Sequence, residues 1–199
     1  MSFDPEDFDE SEPLDLEDFP TLQAVARFAQ AVSHVPWFLH LGEPLTAEAL
    51  EAAETHALAM GFPDCSIARV RDWEEAGDAA ESPGFDDASW EFEEQLTATL
   101  MDLALAVVDE EELAAALTHV SAVAGDAAKQ AIEEAAALAG HSDPALLDAA
   151  AGAATKACYQ AALLLAGGGE EDHAVAYKYR LFEAGHWPIG IVGSTFNVF

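Results

Sequence analysis

The sequence predicts a mainly α protein, a single-domain antiparallel bundle of about six to seven helices with a short C-terminal β-hairpin. Three observations carry that prediction. Alanine supplies 43 of the 199 residues, a large excess of the residue with the highest helix propensity. Apolar residues recur three and four positions apart through most of the chain, the spacing of one helix face. Val and Ile are few outside short stretches, which leaves little material for a large sheet. The length suits one domain with a tail, divided into an acidic arm over 1–20 and a helical domain over 21–199.

The arm holds nine acids and no base, with Phe3, Phe8, Leu14, Leu16 and Phe19 threaded between them. That composition is read as flexible, because like charge opposes collapse. Its aromatic residues are read first as draping over the chain's own core. Phe3, Phe8 and Phe19 are the candidate anchors for a partner surface.

The first helix is predicted over 21–34, with Leu22, Val25, Phe28, Ala29 and Val32 on one face. Pro36 ends it, because the residue before proline disfavours the helical region. Residues 37–41 read as an extended apolar connector. Thr46 is the expected N-cap of a second helix, with Leu45 and Leu50 as a hydrophobic staple and Gly61 as its stop. Ile67, Val70 and Trp73 fit one helical face, so a short helix is predicted over 64–75, followed by a loop over 77–88. A long helix is predicted over 89–108, with Phe92, Leu96, Leu100, Leu103 and Val107 as its core stripe.

Asp109 opens the next helix, whose buried face is Leu113, Ala116, Leu117, Val120 and Ala124. Gly125-Asp126 reads as a stop and a fresh cap, and Gly140 as the end of the helix after it. Asp143-Pro144 is a cap with proline at the first helical position. The helix over 144–166 is apolar on nearly all sides, with Asp148, Gly152, Thr155, Lys156 and Gln160 on one narrow stripe, as expected of a central helix. After Gly167-Gly168-Gly169 a last helix is predicted over 170–184. In the tail, Gly193-Ser194 is a type II′ turn signal that sets Ile191 opposite Phe196 and Ile189 opposite Val198.

Thirty-eight acids against seven Lys and Arg give a net charge of -31 and a pI near 4.1. That field argues against nucleic-acid and anionic-membrane surfaces, both of which are met with cations. Cys65 and Cys158 are read as small buried hydrophobes, which suits a reducing compartment. The acidic N-terminus does not read as a signal peptide, and residues 145–166 are too interrupted to span a membrane. The expectation is a cytoplasmic protein with no cofactor; its oligomeric state is not set by the sequence.

Glu170 and His173 make one Glu-x-x-His step, the spacing of a metal-binding helix face. Di-iron bundles need two such steps and two further Glu, so the pair is read as a solvated helix start. The acids at 109–112 read as capping and dipole complement. No serine sits in a nucleophile elbow, and the acids after Gly169 would repel phosphate. The densest local feature is the block Tyr177, Lys178, Tyr179, Arg180, Phe182, His186, Trp187. Tyr177, Lys178, Arg180, His186 and Trp187 are the candidate residues for an anionic or aromatic ligand. The competing reading is a minor aromatic core whose cations pair with surplus carboxylates.

Composition therefore favours a non-enzymatic interaction or inhibitor protein for a basic partner. The alternatives are a plain acidic domain adapted to salt or solubility, and a metal- or ligand-binding protein or enzyme built on the aromatic block.

Overall fold

The computed structural model describes residues 20–170 and 172–199; the predicted anchors Phe3, Phe8 and Phe19 lie outside them. Among the described residues the chain forms seven helices and a small three-stranded sheet, a mainly α fold. Polar caps begin most of the helices. Thr46 accepts a hydrogen bond from the Ala49 N–H at 3.1 Å and starts α2 (Ala47–Ala59). Asp72 and Asp86 do the same for α3 (Trp73–Ala80) and α4 (Asp87–Leu105). Asp109 starts α5 (Glu110–Ala139) and Asp143, with Pro144 behind it, starts α6 (Pro144–Ala166). Each cap satisfies N–H groups that the first helical turn leaves without partners.

Helix α6 is the centre of the molecule. It packs against α1 (Pro20–Val32), α4, α5 and α7 (Ala174–Glu183). Ala150, Ala154, Ala157 and Ala162 are fully buried on it. Helix α5 meets it with Val120, Ala124, Ala128 and Ile132, also fully buried. A second cluster joins α2 and α7 to the sheet through Ala49, Ala53, Leu181, Ile191, Phe196 and Val198.

Six sequence expectations change. The predicted helix over 64–75 is instead strand β1 (Ser66–Arg69) followed by α3. Strand β1 pairs in parallel with β3 (Thr195–Val198), which pairs antiparallel with β2 (Pro188–Val192). Backbone pairing to a distant strand outweighed a weak helical pattern. Part of the expected loop over 77–88 belongs to α3, and Phe85 bridges to Val192. The hairpin has Ile191 opposite Phe196 as expected, but a bulge sets Pro188, not Ile189, opposite Val198. Gly190 sits there at φ 148°, and a Cβ on it would meet the Phe85 ring at 2.4 Å, so only glycine admits that ring.

The predicted stripe of α4 is buried only in part. Leu100 is buried and Leu96 packs half-buried against the core, but Phe92, Leu103 and Val107 are 39%, 53% and 55% exposed, and Ser89 and Ala104 are buried instead. The connector at 37–41 is a turn that buries Trp37 and Phe38, with Phe38 at φ 57°. Finally, α5 runs through Gly125-Asp126 without a break and ends at Gly140, φ 70°. One continuous buried face from Leu113 to Ala136 outweighs the cost of an interior glycine, about 1 kcal/mol.

The unbroken helix has a direct test. A Cβ at Gly125 would lie 3.6 Å from Thr155 Oγ1, an ordinary contact. Gly125→Ala is expected to raise the unfolding free energy by about 0.5–1 kcal/mol in urea. A loss of stability would mean that the glycine is a helix stop after all.

Candidate functional site

Helix α7 carries most of the aromatic block, and its periodicity divides the block among three faces. Tyr179 and Phe182 turn into the core, where they meet Phe28, Trp37 and Phe38 ring to ring. Lys178 turns toward α4, while Tyr177 and Arg180 turn toward α2. His186 and Trp187 lie beyond the helix and are both buried. The Trp187 backbone pairs with Phe199, and burial followed by the nearby His40 ring pushes His186 below its ordinary pKa. The five candidate ligand residues therefore do not share one pocket.

Glu170 and His173 do not share a helix face either. Helix α7 begins at Ala174, and His173 is its N-cap, its Nδ1 accepting from the Val175 N–H at 3.3 Å. Glu170 is exposed in the preceding turn. Among the described residues no three His, Cys, Asp or Glu are grouped to hold a metal ion.

Lys178 forms a short, sheltered ion pair with α4. Its Nζ lies 2.6 Å from Glu93 Oε1, and the two side chains are only 13% and 15% exposed. Gln160, fully buried on α6, donates to Glu93 Oε1 at 3.0 Å and to Thr97 Oγ1 at 2.9 Å. Lys156 pairs with Glu94 at 2.6 Å and lies 3.8 Å from Glu93. His56 of α2 donates through Nδ1 to the Ala174 carbonyl at 2.9 Å. The adjoining cavity, lined by His56, Ser89, Trp90, Glu93 and Lys178, measures about 50 Å³. That admits water but no substrate, so the cluster fastens α4, α6 and α7 together.

The same electrostatics set two pKa values. Burial raises the Glu93 carboxyl, but Lys178, its hydrogen bond, Lys156 and Gln160 together outweigh this and hold it at about 2. Burial, then the charge of Lys178, pushes His56 down to about 4. Sequence reading had singled out Lys178 but missed Glu93 and His56. Lys156 and Gln160 were the available signal: a polar stripe on a helix otherwise buried must find polar partners.

An open cleft lies between α2 and α7. Ala49 and Ala52 let the two helices approach closely, and the longer side chains flank the seam. The result is a cleft of about 500 Å³ lined by Glu48, Glu51, Tyr177, Arg180 and Glu183. Arg180 lies over the Tyr177 ring, 4.8 Å from its centroid, and the Tyr177 hydroxyl donates to Asp172. Glu48 and Glu51 are exposed to solvent. Three carboxylates thus line the cleft beside one guanidinium and an aromatic ring.

The Glu93 cluster predicts a specific pH dependence. The unfolded His56 takes its proton near pH 6.5, the folded one only near 4. Its neutral form therefore stabilises the fold above pH 6.5, and that contribution is lost as pH falls toward 4. Glu93 adds a contribution present above pH 4.5 and lost toward about 2. Between pH 7 and 5 the wild-type chain is expected to lose about 2 kcal/mol more unfolding free energy than His56→Gln. Glu93→Gln is expected to cost about 3 kcal/mol at pH 7, because Lys178 is left largely shielded from water without its carboxylate. Urea unfolding across pH checks both; parallel profiles for wild type and His56→Gln would refute the first. Comparison with protein-family models, with curated proteins and with solved structures finds no match for this chain.

Proposed function

We propose that this chain is a non-enzymatic interaction protein that binds a Lys- or Arg-rich segment of another protein in the α2–α7 cleft. The observation that supports this best is the meeting of Glu48, Glu51 and Glu183 beside Tyr177 in one open cleft of about 500 Å³. A cation entering there gains from the exposed carboxylates of Glu48 and Glu51. The wider field acts in the same direction. With a net charge of -31, the surface steers cationic partners toward itself and repels anionic ones. Composition adds the rest of the reading: a cytoplasmic chain with no direct contact to nucleic acid. Among the described residues no helix is long and apolar enough to cross a membrane.

A general polyelectrolyte attraction would give salt-dependent binding anywhere on the surface, so the test compares sites. The probe is a fluorescein-labelled dodecapeptide of Lys, Arg and Ala, followed by anisotropy at 25 and 300 mM NaCl. Glu48→Gln with Glu51→Gln is expected to weaken binding about three- to tenfold, the worth of two exposed charge pairs. Asp126→Asn with Glu133→Gln makes the same charge change on exposed positions of α5 and is expected to weaken it less than about twofold. Equal losses in the two variants remove the cleft from the proposal. No binding at low salt, with stability rising as salt is added, marks a plain acidic domain.

A further inference from the structure

We propose that the acidic N-terminal arm seats Leu14 and Leu16 in the groove between α1 and α5. The groove measures about 160 Å³ and is walled by Leu22, Val25, Ala26 and Ala29 of α1 and by Ala115 and Val120 of α5. That volume suits aliphatic side chains rather than a small molecule, whose pockets usually span about 300–1,000 Å³. The groove shares no residue with the α2–α7 cleft, and its occupant is this chain rather than a partner.

Three observations choose the arm as the occupant. The first is reach. Helix α1 begins at Pro20, and the lining of the groove runs along it from Leu22 to Ala29. At a helical rise of about 1.5 Å per residue, the far end lies about 14 Å from Pro20. Leu16 and Leu14 stand four and six residues before Pro20, an extended reach of about 13 and 20 Å. A turn back along α1 therefore brings both onto the groove. So short a tether also holds the arm there at an effective concentration on the order of millimolar, which favours it over a free segment. The second is pattern. Leu14-Asp15-Leu16-Glu17 alternates, so an extended backbone turns both leucines to the groove and both acids to water. The third is charge. Glu48, Glu51 and Glu183 line the α2–α7 cleft, and Glu170 and Glu183 line the cleft between α6 and α7, so both repel an acidic segment. The α1–α5 groove has one acid, Glu112, together with His119, and Arg27 stands exposed next to Ala26.

The test is disulfide formation in the full chain. Asp15→Cys is paired with Ala115→Cys on the groove wall, or with Ala114→Cys, its exposed neighbour outside the groove. Cys65→Ser removes the half-buried thiol. Cys158 is buried, its thiol pushed up to about 12 by that burial, and it stays out of the exchange. In a glutathione buffer the groove pair is expected to form its disulfide with an effective concentration about tenfold above that of the outer pair. Adding Leu14→Asp and Leu16→Asp is expected to bring the groove pair within about twofold of the outer one. Equal effective concentrations in the two pairs, or no fall with the aspartates, overturn the proposal. A disulfide that joins two chains, in a yield that falls on dilution, assigns the groove to the arm of a second copy and overturns it as well.

Discussion

Helix α6 touches α1, α4, α5 and α7, and Ala150, Ala154, Ala157, Ala162 and Ala166 are fully buried on it. An alanine contributes little apolar area of its own. Its value is that it lets a neighbouring backbone come close, so many small contacts replace a few large ones. The facing helix α5 follows the same rule with Ala124, Ala128 and Ala136. This close packing opposes a chain of net charge -31, whose carboxylates repel one another whenever the fold is compact. The buried face of α4 mixes sizes: Leu100 and Ala104 enter the core, and Glu93 meets Gln160 of α6.

The charged residues of α6 and α7 explain how such a core admits polarity. Two of the seven cations, Lys156 and Lys178, meet Glu93 and Glu94 on α4. Lys178 and Glu93, only 13% and 15% exposed, are tolerated there because they are paired and hydrogen-bonded. Gln160 and Thr97 complete the set. The cluster fixes the orientation of α7 against α4 and α6.

Helix α7 then has distinct tasks on each side. One face closes the aromatic core through Tyr179 and Phe182. Another holds Glu93 through Lys178. The remaining residues, Tyr177, Arg180 and Glu183, are left at the seam with α2, where the chain presents carboxylates around an open space. Arg180 and Glu183 also border the cleft beside Phe28 and Leu164.

Sequence alone determined what depends on neighbours along the chain. Thr46, Asp109 and Asp143 cap helices because a side-chain oxygen reaches an N–H two or three residues on. Gly140 ends α5 because it takes a left-handed φ without strain. The buried face of α5 and the central place of α6 were legible as apolar periodicity. Tertiary structure decided what depends on distant partners. Ser66–Arg69 becomes a strand because β3 offers it a ladder, 128 residues away at Ser66 and Ser194. Gly125 stays helical because Ala124 and Ala128 beside it are buried in one continuous face. Glu93 could not be told from 37 other acids until α7 brought Lys178 to it. The α2–α7 cleft joins Glu48 and Glu51 to Tyr177 and Glu183, residues remote in sequence. Local hydrogen bonding and periodicity are written in consecutive residues, whereas the pairing of charges and the closing of clefts are set only when separate helices pack.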